Sequence, residues 1–360
     1  MKKYLAMILA LTMVLGLVAC GGSSAPAATE APAAQAPAAE AGPAPAVAGA
    51  VWYQFADTFI SNTRAVLEGK AAESGWLTVN AADSKFDVPT QMNNINMFYT
   101  QGVDYLLINN FDANSTSALV EQAKEEGKTI IFVNCNSPSE EDFASYENVW
   151  HISSLADQSG TIMGQQVTEY WKAHPEADRN GNGKLDYVML IGMVEHYDSL
   201  ARRDYSIQAV QDAGIETNEI YQAICGYSRA EAMNTVQSLL AANADDIEAV
   251  FAANDDMALG AIEALTAAGF FGDGEFIPVV GVDATAVGCE AIKEGTLLGT
   301  SLNSSKALGE LAYGLVYCLQ AGLEVTPENL GCDASFNIDG HNIWIDYIAI
   351  TADNLADAGY

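Results

Sequence analysis

The chain has 360 residues, 47 of them acidic and 15 basic, for a net charge of −32 at neutral pH. Such a surface repels phosphate backbones and excludes nucleic acid as a partner, while an apolar content of 50% is enough for a packed core and excludes a wholly disordered acidic chain. Six cysteines are too few for a disulfide scaffold, and four histidines leave little room for a His-rich metal site.

The N-terminus reads as an address. Lys2 and Lys3 precede an apolar run over 4–19, interrupted only by Thr12 and Gly16. The run is too short and one-sided for a transmembrane helix and fits a secretory signal over 1–19. It ends Leu17-Val18-Ala19-Cys20, followed by Gly21 and Gly22, which resembles the lipobox of bacterial lipoproteins. Cleavage there precedes the cysteine, whose thiol and new amino group are acylated. Cys20 is thus the expected anchor, and two or more acyl chains hold a protein firmly on a bilayer; the competing reading is an ordinary signal with an incidental cysteine. Residues 20–47 follow as a tether, where Pro26, Pro32, Pro37, Pro43 and Pro45 interrupt the helix that alanine alone favours. The expected location is the outer, extracytoplasmic face of the cell membrane. Beyond Cys20 remain Cys135, Cys225, Cys289, Cys318 and Cys332, an odd number that cannot all pair. Most are expected to be buried small hydrophobes.

From Ala48 on, short apolar runs alternate with amphipathic stretches. Residues 51–55, 77–80, 105–109, 129–134, 187–191, 247–252, 277–282 and 297–302 read as buried strands. Between them lie helical spacings such as Phe59, Ile60, Thr63, Val66, Leu67 and Ala71. This alternation predicts an α/β fold with parallel sheets covered by helices on both faces. Ligands of such folds sit beyond the carboxyl ends of the strands. Polar residues recur there: Asp57 with Phe59, then Asn134, then His196, Asp198 and Arg202, then Asn254, Asp283 and Asn303. Singly, Asp57 and Asp198 also suit helix caps, and Asn254 and Asn303 suit turns. Together, carboxylates, amides, an arginine and a histidine at strand ends describe a polyol site, because each sugar hydroxyl both donates and accepts.

The chain from Val51 to Leu355 resembles the galactose/glucose-binding proteins of ABC importers, of the type I periplasmic-binding-protein fold. The resemblance rests on Tyr53-Gln-Phe-Ala-Asp57-Thr-Phe59, Phe132-Val-Asn134, His196-Tyr-Asp198-Ser-Leu-Ala-Arg202, Ile247-Glu248-Ala-Val-Phe-Ala-Ala-Asn254-Asp255, Gly281-Val-Asp283-Ala and Thr300-Ser-Leu-Asn303. It implies sugar contacts from Asp57, Phe59, Asn134, His196, Asp198, Arg202, Asn254, Asp283 and Asn303. Where that family stacks a tryptophan on the sugar, an ungapped alignment over 227–240 places Tyr227. Where it has a lysine after the matching asparagine, this chain has Cys135. The resemblance also implies two doubly wound lobes joined by a three-stranded hinge, with crossings near 153–155, 303–306 and 344–347. The first lobe spans 48–153 plus 304–344, and the second 155–302 plus 346–360.

Asp178-Arg-Asn180-Gly-Asn182-Gly183-Lys184-Leu-Asp186 carries oxygen side chains at positions 1, 3, 5 and 9 of an EF-hand-like loop. Glycine stands at position 6, and the Lys184 carbonyl at position 7. Met189 stands where an EF-hand has its last glutamate, so an ordinary EF-hand is not expected; the competing reading is a Gly/Asn-rich turn. In the resembling family a remote glutamate, matching Glu248, completes the cage. Hard oxygen ligands favour Ca²⁺ in a structural role.

The expected activity is recognition without reaction. A D-galactose or D-glucose molecule is captured by a monomer and passed to an ABC permease, whose ATPase acts elsewhere. A same-fold sensor subunit is the alternative. A glycoside hydrolase using Asp57, Asp198 or Asp283 is a more distant one, disfavoured on the expectation that amide and arginine partners keep these acids ionised.

Overall fold

The computed structural model describes residues 42–243, 246–272 and 275–359. The expected signal, Cys20 and the tether up to residue 41 lie outside the described residues. From Gly42 on, the chain forms one compact unit.

The first sheet region contains β1 (Ala46–Trp52), α1 (Thr58–Ser74), β2 (Leu77–Asp83), α2 (Val88–Gln101), β3 (Tyr105–Ile108), α3 (Thr116–Glu126), β4 (Thr129–Val133), α4 (Glu140–Ser145) and β5 (Val149–Ser154). The second contains α5 (Ala156–Ala173), β6 (Lys184–Ile191), α6 (Tyr197–Asp212), β7 (Glu216–Ile224), α7 (Arg229–Asn243), β8 (Ala249–Ala252), α8 (Asp255–Ala267), β9 (Val279–Val282), α9 (Ala286–Lys293) and β10 (Gly299–Leu302). The chain then returns through α10 (Ser305–Ala321), α11 (Pro327–Leu330), β11 (Phe336–Asp339), β12 (Asn342–Ile345) and β13 (Ile348–Ile350).

Among the described residues there are two sheets. One has seven strands in the order β11-β12-β5-β4-β3-β1-β2, and the other six in the order β13-β10-β9-β8-β6-β7. All pairings are parallel except β11 with β12 and β10 with β13. The central strands β3, β8 and β9 are buried along their whole length, as parallel strands covered on both faces must be. The chain passes between sheets three times: after β5, after β10, and between β12 and β13. This is the type I periplasmic-binding-protein architecture.

Several strand limits depart from those read in the sequence, and the departures near the cleft have physical reasons. β1 begins at Ala46 rather than Val51, so residues 46 and 47 of the expected tether belong to a strand. The run Ala46-Val-Ala-Gly-Ala looks like more linker because its residues are small. They are small because the helix above lies close: a Cβ on Gly49 would come 2.5 Å from the Phe98 ring of α2. Conversely, Phe55 is not in the strand but lies under the Arg64 guanidinium, 3.4 Å from its ring centroid. β4 likewise stops at Val133, one residue short of the limit read in the sequence, which places Asn134 just past its end at φ +50°.

Two close helix contacts set the frame. α10 packs on α1, where a Cβ on Gly309 would meet Val66 at 2.7 Å. α5 packs on α6, where a Cβ on Gly164 would stand 2.2 Å from the Ser206 carbonyl oxygen. The second contact fixes the helix that carries Asp198 and Arg202. Cys135, Cys225, Cys289 and Cys318 are buried, Cys332 is half-buried, and all five are free thiols.

Candidate ligand-binding site

The carboxyl ends of both sheets face one another across the cleft. Asp57 caps α1, with Oδ1 accepting from the Ile60 N–H at 2.9 Å and Oδ2 from the Tyr53 hydroxyl at 2.7 Å. Asn254 caps α8 in the same way, accepting from the Met257 N–H at 2.9 Å. His196 stands at the N-cap of α6 but makes no cap bond. Its Nδ1 lies 2.6 Å from the Tyr227 hydroxyl. Asn134, Tyr227 and Asp283 all follow strands in left-handed backbone, at φ +50°, +58° and +108°. The Asn109 amide donates to the Val133 and Asn134 carbonyls and holds the first of these turns. Asn303, just after β10, reaches Asn134 Oδ1 at 3.4 Å and Asp283 Oδ1 at 3.5 Å, and its own Oδ1 accepts from Ser154.

Asp57, Phe59, Asn134, His196, Arg202, Tyr227, Asn254, Asp283 and Asn303 line one interlobe pocket, joined by Tyr53. The space among them is about 10 Å³, room for about one water. Asp198 is buried but lines the adjoining cavity instead, and its Oδ2 lies 3.6 Å from Arg202 Nη2. Arg202 also donates to the Ala253 carbonyl at 2.7 Å and to the Tyr347 hydroxyl at 3.1 Å. Two buried nitrogens in this pocket, His196 Nε2 and Arg202 Nε, have no protein partner. Buried polar groups are normally satisfied; the Arg202 Nε–H can only donate, while His196 Nε2 donates or accepts according to its tautomer.

The charges follow from burial. Asp57 is pushed up to about 6 by desolvation, against the Ile60 and Tyr53 hydrogen bonds that favour its ionised form. Burial raises Asp283 as well, partly opposed by Arg202 and reinforced by Asp255 and Asp57. This corrects the expectation that the partners keep these acids fully ionised: desolvation outweighs them. Burial lowers the His196 imidazole, opposed by the Asp198 carboxylate. Burial works against the Arg202 charge, but Tyr347, Asp198 and Asp283 outweigh it and hold the guanidinium protonated.

The aromatic wall differs in detail from a simple pair. Tyr227 faces Tyr53 at 6.2 Å between centroids and Phe86 at 6.4 Å, and Tyr53 stacks on Phe86 at 4.6 Å. Tyr53, Phe86 and Tyr347 were not singled out from the sequence. Tyr53 follows β1 and fits the strand-end rule. Phe86 sits in a loop at φ +54° beside Lys85 at φ +53°, a conformation with no local sequence signal.

The 178–186 loop is laced by its own hydrogen bonds. Asp178 accepts from the Asn182 and Gly183 N–H groups. The Asn180 and Asn182 amides both point at Asp186 Oδ2, each at 2.6 Å. Glu248, remote in sequence, accepts from the Arg179 N–H at 2.7 Å, the Asn180 N–H at 3.4 Å and the Asp186 N–H at 2.9 Å. Among the described residues no group of three or more His, Cys, Asp or Glu side chains is arranged to hold a metal. Any cation here would draw on the amides and the Lys184 carbonyl as well. The donor set is all oxygen and fits a hard cation. Turning an Asn amide over presents oxygen where nitrogen now stands.

This two-lobed α/β fold, with polar side chains from both sheets converging on a closed cleft, defines a ligand-capturing protein. The profile of the periplasmic binding protein domain matches residues 48–324, and the chain belongs to that family, a non-enzymatic one. It is 29% identical over 310 residues to the D-galactose/methyl-galactoside binding periplasmic protein MglB of Haemophilus influenzae, covering 86% of this chain and 90% of that one. It is 25% identical over 243 residues to the ribose import binding protein RbsB of Bacillus subtilis, covering 68% and 72%. An ABC transporter solute binding protein of Bacillus halodurans, solved with bound myo-inositol, superposes with a TM-score of 0.71 at 23% identity, covering 87% of this chain and 97% of that one, and shows the shared fold. No described helix is long and apolar enough to cross a membrane.

Proposed function

We propose that this chain is the substrate-binding component of an ABC sugar importer and that it captures D-galactose and D-glucose. The observation that carries this reading is the pocket itself. Carboxylates, amides and a buried guanidinium from the strand ends of both sheets converge with Tyr53, Phe59 and Tyr227, and two polar nitrogens there await a partner. Aromatic rings cover the C–H faces of a pyranose, and planar groups match its hydroxyls. The names of the relatives, which include galactose, ribose and xylitol binding, support a sugar or polyol as ligand. The choice of hexose rests on Asp57, whose two oxygens can accept from a 4-hydroxyl in either orientation.

The enclosed space is far smaller than a pyranose, so capture is coupled to separation of the lobes, and closure on the ligand stops short of the present position. The ligand-bound form then docks on the permease and its ATPase, with the protein a monomer held at the membrane through Cys20. Asp178, Asn180, Asn182, the Lys184 carbonyl, Asp186 and Glu248 would hold one structural Ca²⁺, which would draw these oxygens onto a common centre and tie the loop to β8.

A calorimetric screen of monosaccharides tests the reading, on a chain beginning at Gly42 so that β1 stays whole. Both hexoses are expected to bind, with ribose and xylose much weaker. A pentose lacks the exocyclic hydroxymethyl and leaves buried polar groups unpaired. Ribose or xylose binding as tightly as either hexose overturns the hexose assignment.

A further inference from the structure

Beside the inner pocket lies a second space that the reading above does not use. It measures about 340 Å³, within the roughly 300–1,000 Å³ of small-molecule sites. Both lobes wall it: Asn136 and Ser137 follow β4, Ser154 ends β5, Tyr197 and Asp198 open α6, and Trp344 lies in β12. The two spaces adjoin at an ion pair. Asp198 lines the outer chamber, Arg202 lines the inner pocket, and the two side chains are 3.6 Å apart. The pair separates the two spaces at this degree of closure, and a substituent on a hexose oxygen directed at it would reach the chamber once the lobes part enough to admit the ring.

The lining says what that substituent is. The Asp157 and Asp198 side chains line the chamber, and a carboxylate only accepts. The Ser137 hydroxyl donates to Asn342 Oδ1 at 2.7 Å and the Ser154 hydroxyl to Asn303 Oδ1 at 3.2 Å. Each therefore has lone pairs left to accept. A wall rich in unfilled acceptors, with the flat side chains of Tyr197 and Trp344, suits a ring bearing hydroxyl donors. A plain alkyl group would leave these acceptors unused, and an acidic unit would meet the Asp157 and Asp198 carboxylates.

We propose that the ligand is a neutral glycoside, with one hexose ring in the inner pocket and a second sugar ring in this chamber. This rests on the inner pocket being a hexose seat. Calorimetry on the full chain with galactose, glucose, lactose, melibiose, maltose and cellobiose tests both. At least one disaccharide is expected to bind no more weakly than the free hexose. Trp344→Ala and Tyr197→Ala are each expected to weaken that disaccharide by about tenfold while changing hexose affinity by less than about threefold. Asp57→Ala is expected to weaken both ligands together. Hexose binding with every disaccharide weaker overturns the second ring and leaves the monosaccharide reading standing. Failure of all six sugars overturns both readings. A disaccharide that binds regardless of Asp57→Ala lies outside the inner pocket and also overturns the proposal. If one chamber variant does not fold, the other gives the same comparison.

Discussion

Tyr227 is fixed from three sides. Its backbone is left-handed, its hydroxyl meets His196 Nδ1 at 2.6 Å, and its ring lies over Gly192, where a Cβ would stand 2.0 Å from Cζ. A ring so restrained is preorganised for stacking, and little entropy is lost when a sugar lands on it. Tyr227→Ala is expected to weaken hexose binding by about tenfold or more, equivalent to roughly 1.4 kcal/mol of lost contact; an unchanged calorimetric affinity would assign the wall to Tyr53 and Phe86 instead. Asp57 brings a pH dependence. Its ordinary pKa of 3.8 rises to about 6 in the closed fold, so between these values the folded state holds more protons than the unfolded chain. That contribution favours folding at low pH and is lost as pH rises through about 6. Asp57→Asn cannot ionise; its Oδ1 still accepts from the Ile60 N–H, and its Nδ2 can donate to the Tyr53 hydroxyl oxygen. Melting curves of the ligand-free protein from pH 4 to 8 are expected to show the variant gaining on wild type as pH rises, by on the order of 3 kcal/mol at most. A pH-independent difference would mean that the carboxylate is solvated, as in an open cleft.

At the scale of elements, the site was legible because the fold makes it so. Parallel strands deliver their last residues to one edge, and polar residues there stand out against the apolar runs before them. The cap and site readings of Asp57 and Asn254 are not rivals, since the same side chains cap α1 and α8 and line the pocket. What was not legible has physical causes. β7 and β11 lie at sheet edges, where residues are exposed or half-buried and no apolar run forms. Phe86 reaches the site through a loop set by tertiary packing. Asp198 reads as a direct ligand contact from its place in the motif, yet faces the neighbouring chamber because it sits at the first turn of α6 and pairs back to Arg202. The 178–186 loop is an element whose geometry depends on one distant residue, as Glu248 holds three of its backbone N–H groups. Calcium binding only the folded form would add about 2.7 kcal/mol at a hundredfold excess over Kd. Chelator is expected to lower the melting temperature by several degrees, and Glu248→Gln, which keeps the side-chain shape, to remove that sensitivity. If both proteins melt alike with and without chelator, the loop is a turn held by its own hydrogen bonds.

For the whole molecule, the question is what holds two lobes shut around so little space. The hinge side is bridged by Asn303, which touches Asn134 and Asp283 at once. A second bridge spans the lobes between helix ends: the Thr58 hydroxyl donates to Asp256 Oδ1 at 3.1 Å, and the Thr58 N–H to Asp256 Oδ2 at 3.4 Å. Thr58 begins α1 and Asp256 lies in the first turn of α8. A carboxylate set against the N-terminus of the opposing helix is stabilised by the aligned N–H dipoles as well as by the hydroxyl. Because both side chains are only half-buried, the bridge is worth about 1–1.5 kcal/mol rather than more, enough to change a closed-to-open ratio by roughly fivefold to tenfold. Asp256→Ala removes the bridge and leaves every pocket side chain in place. Small-angle scattering of the ligand-free variant is expected to show a larger radius of gyration than wild type, and saturating hexose to bring the two together. Hexose affinity should not fall, because the fully shut form that the bridge holds has no room for the sugar. Identical scattering without sugar would make the Thr58–Asp256 contact a consequence of closure and leave the hinge and the buried pocket to hold the lobes together.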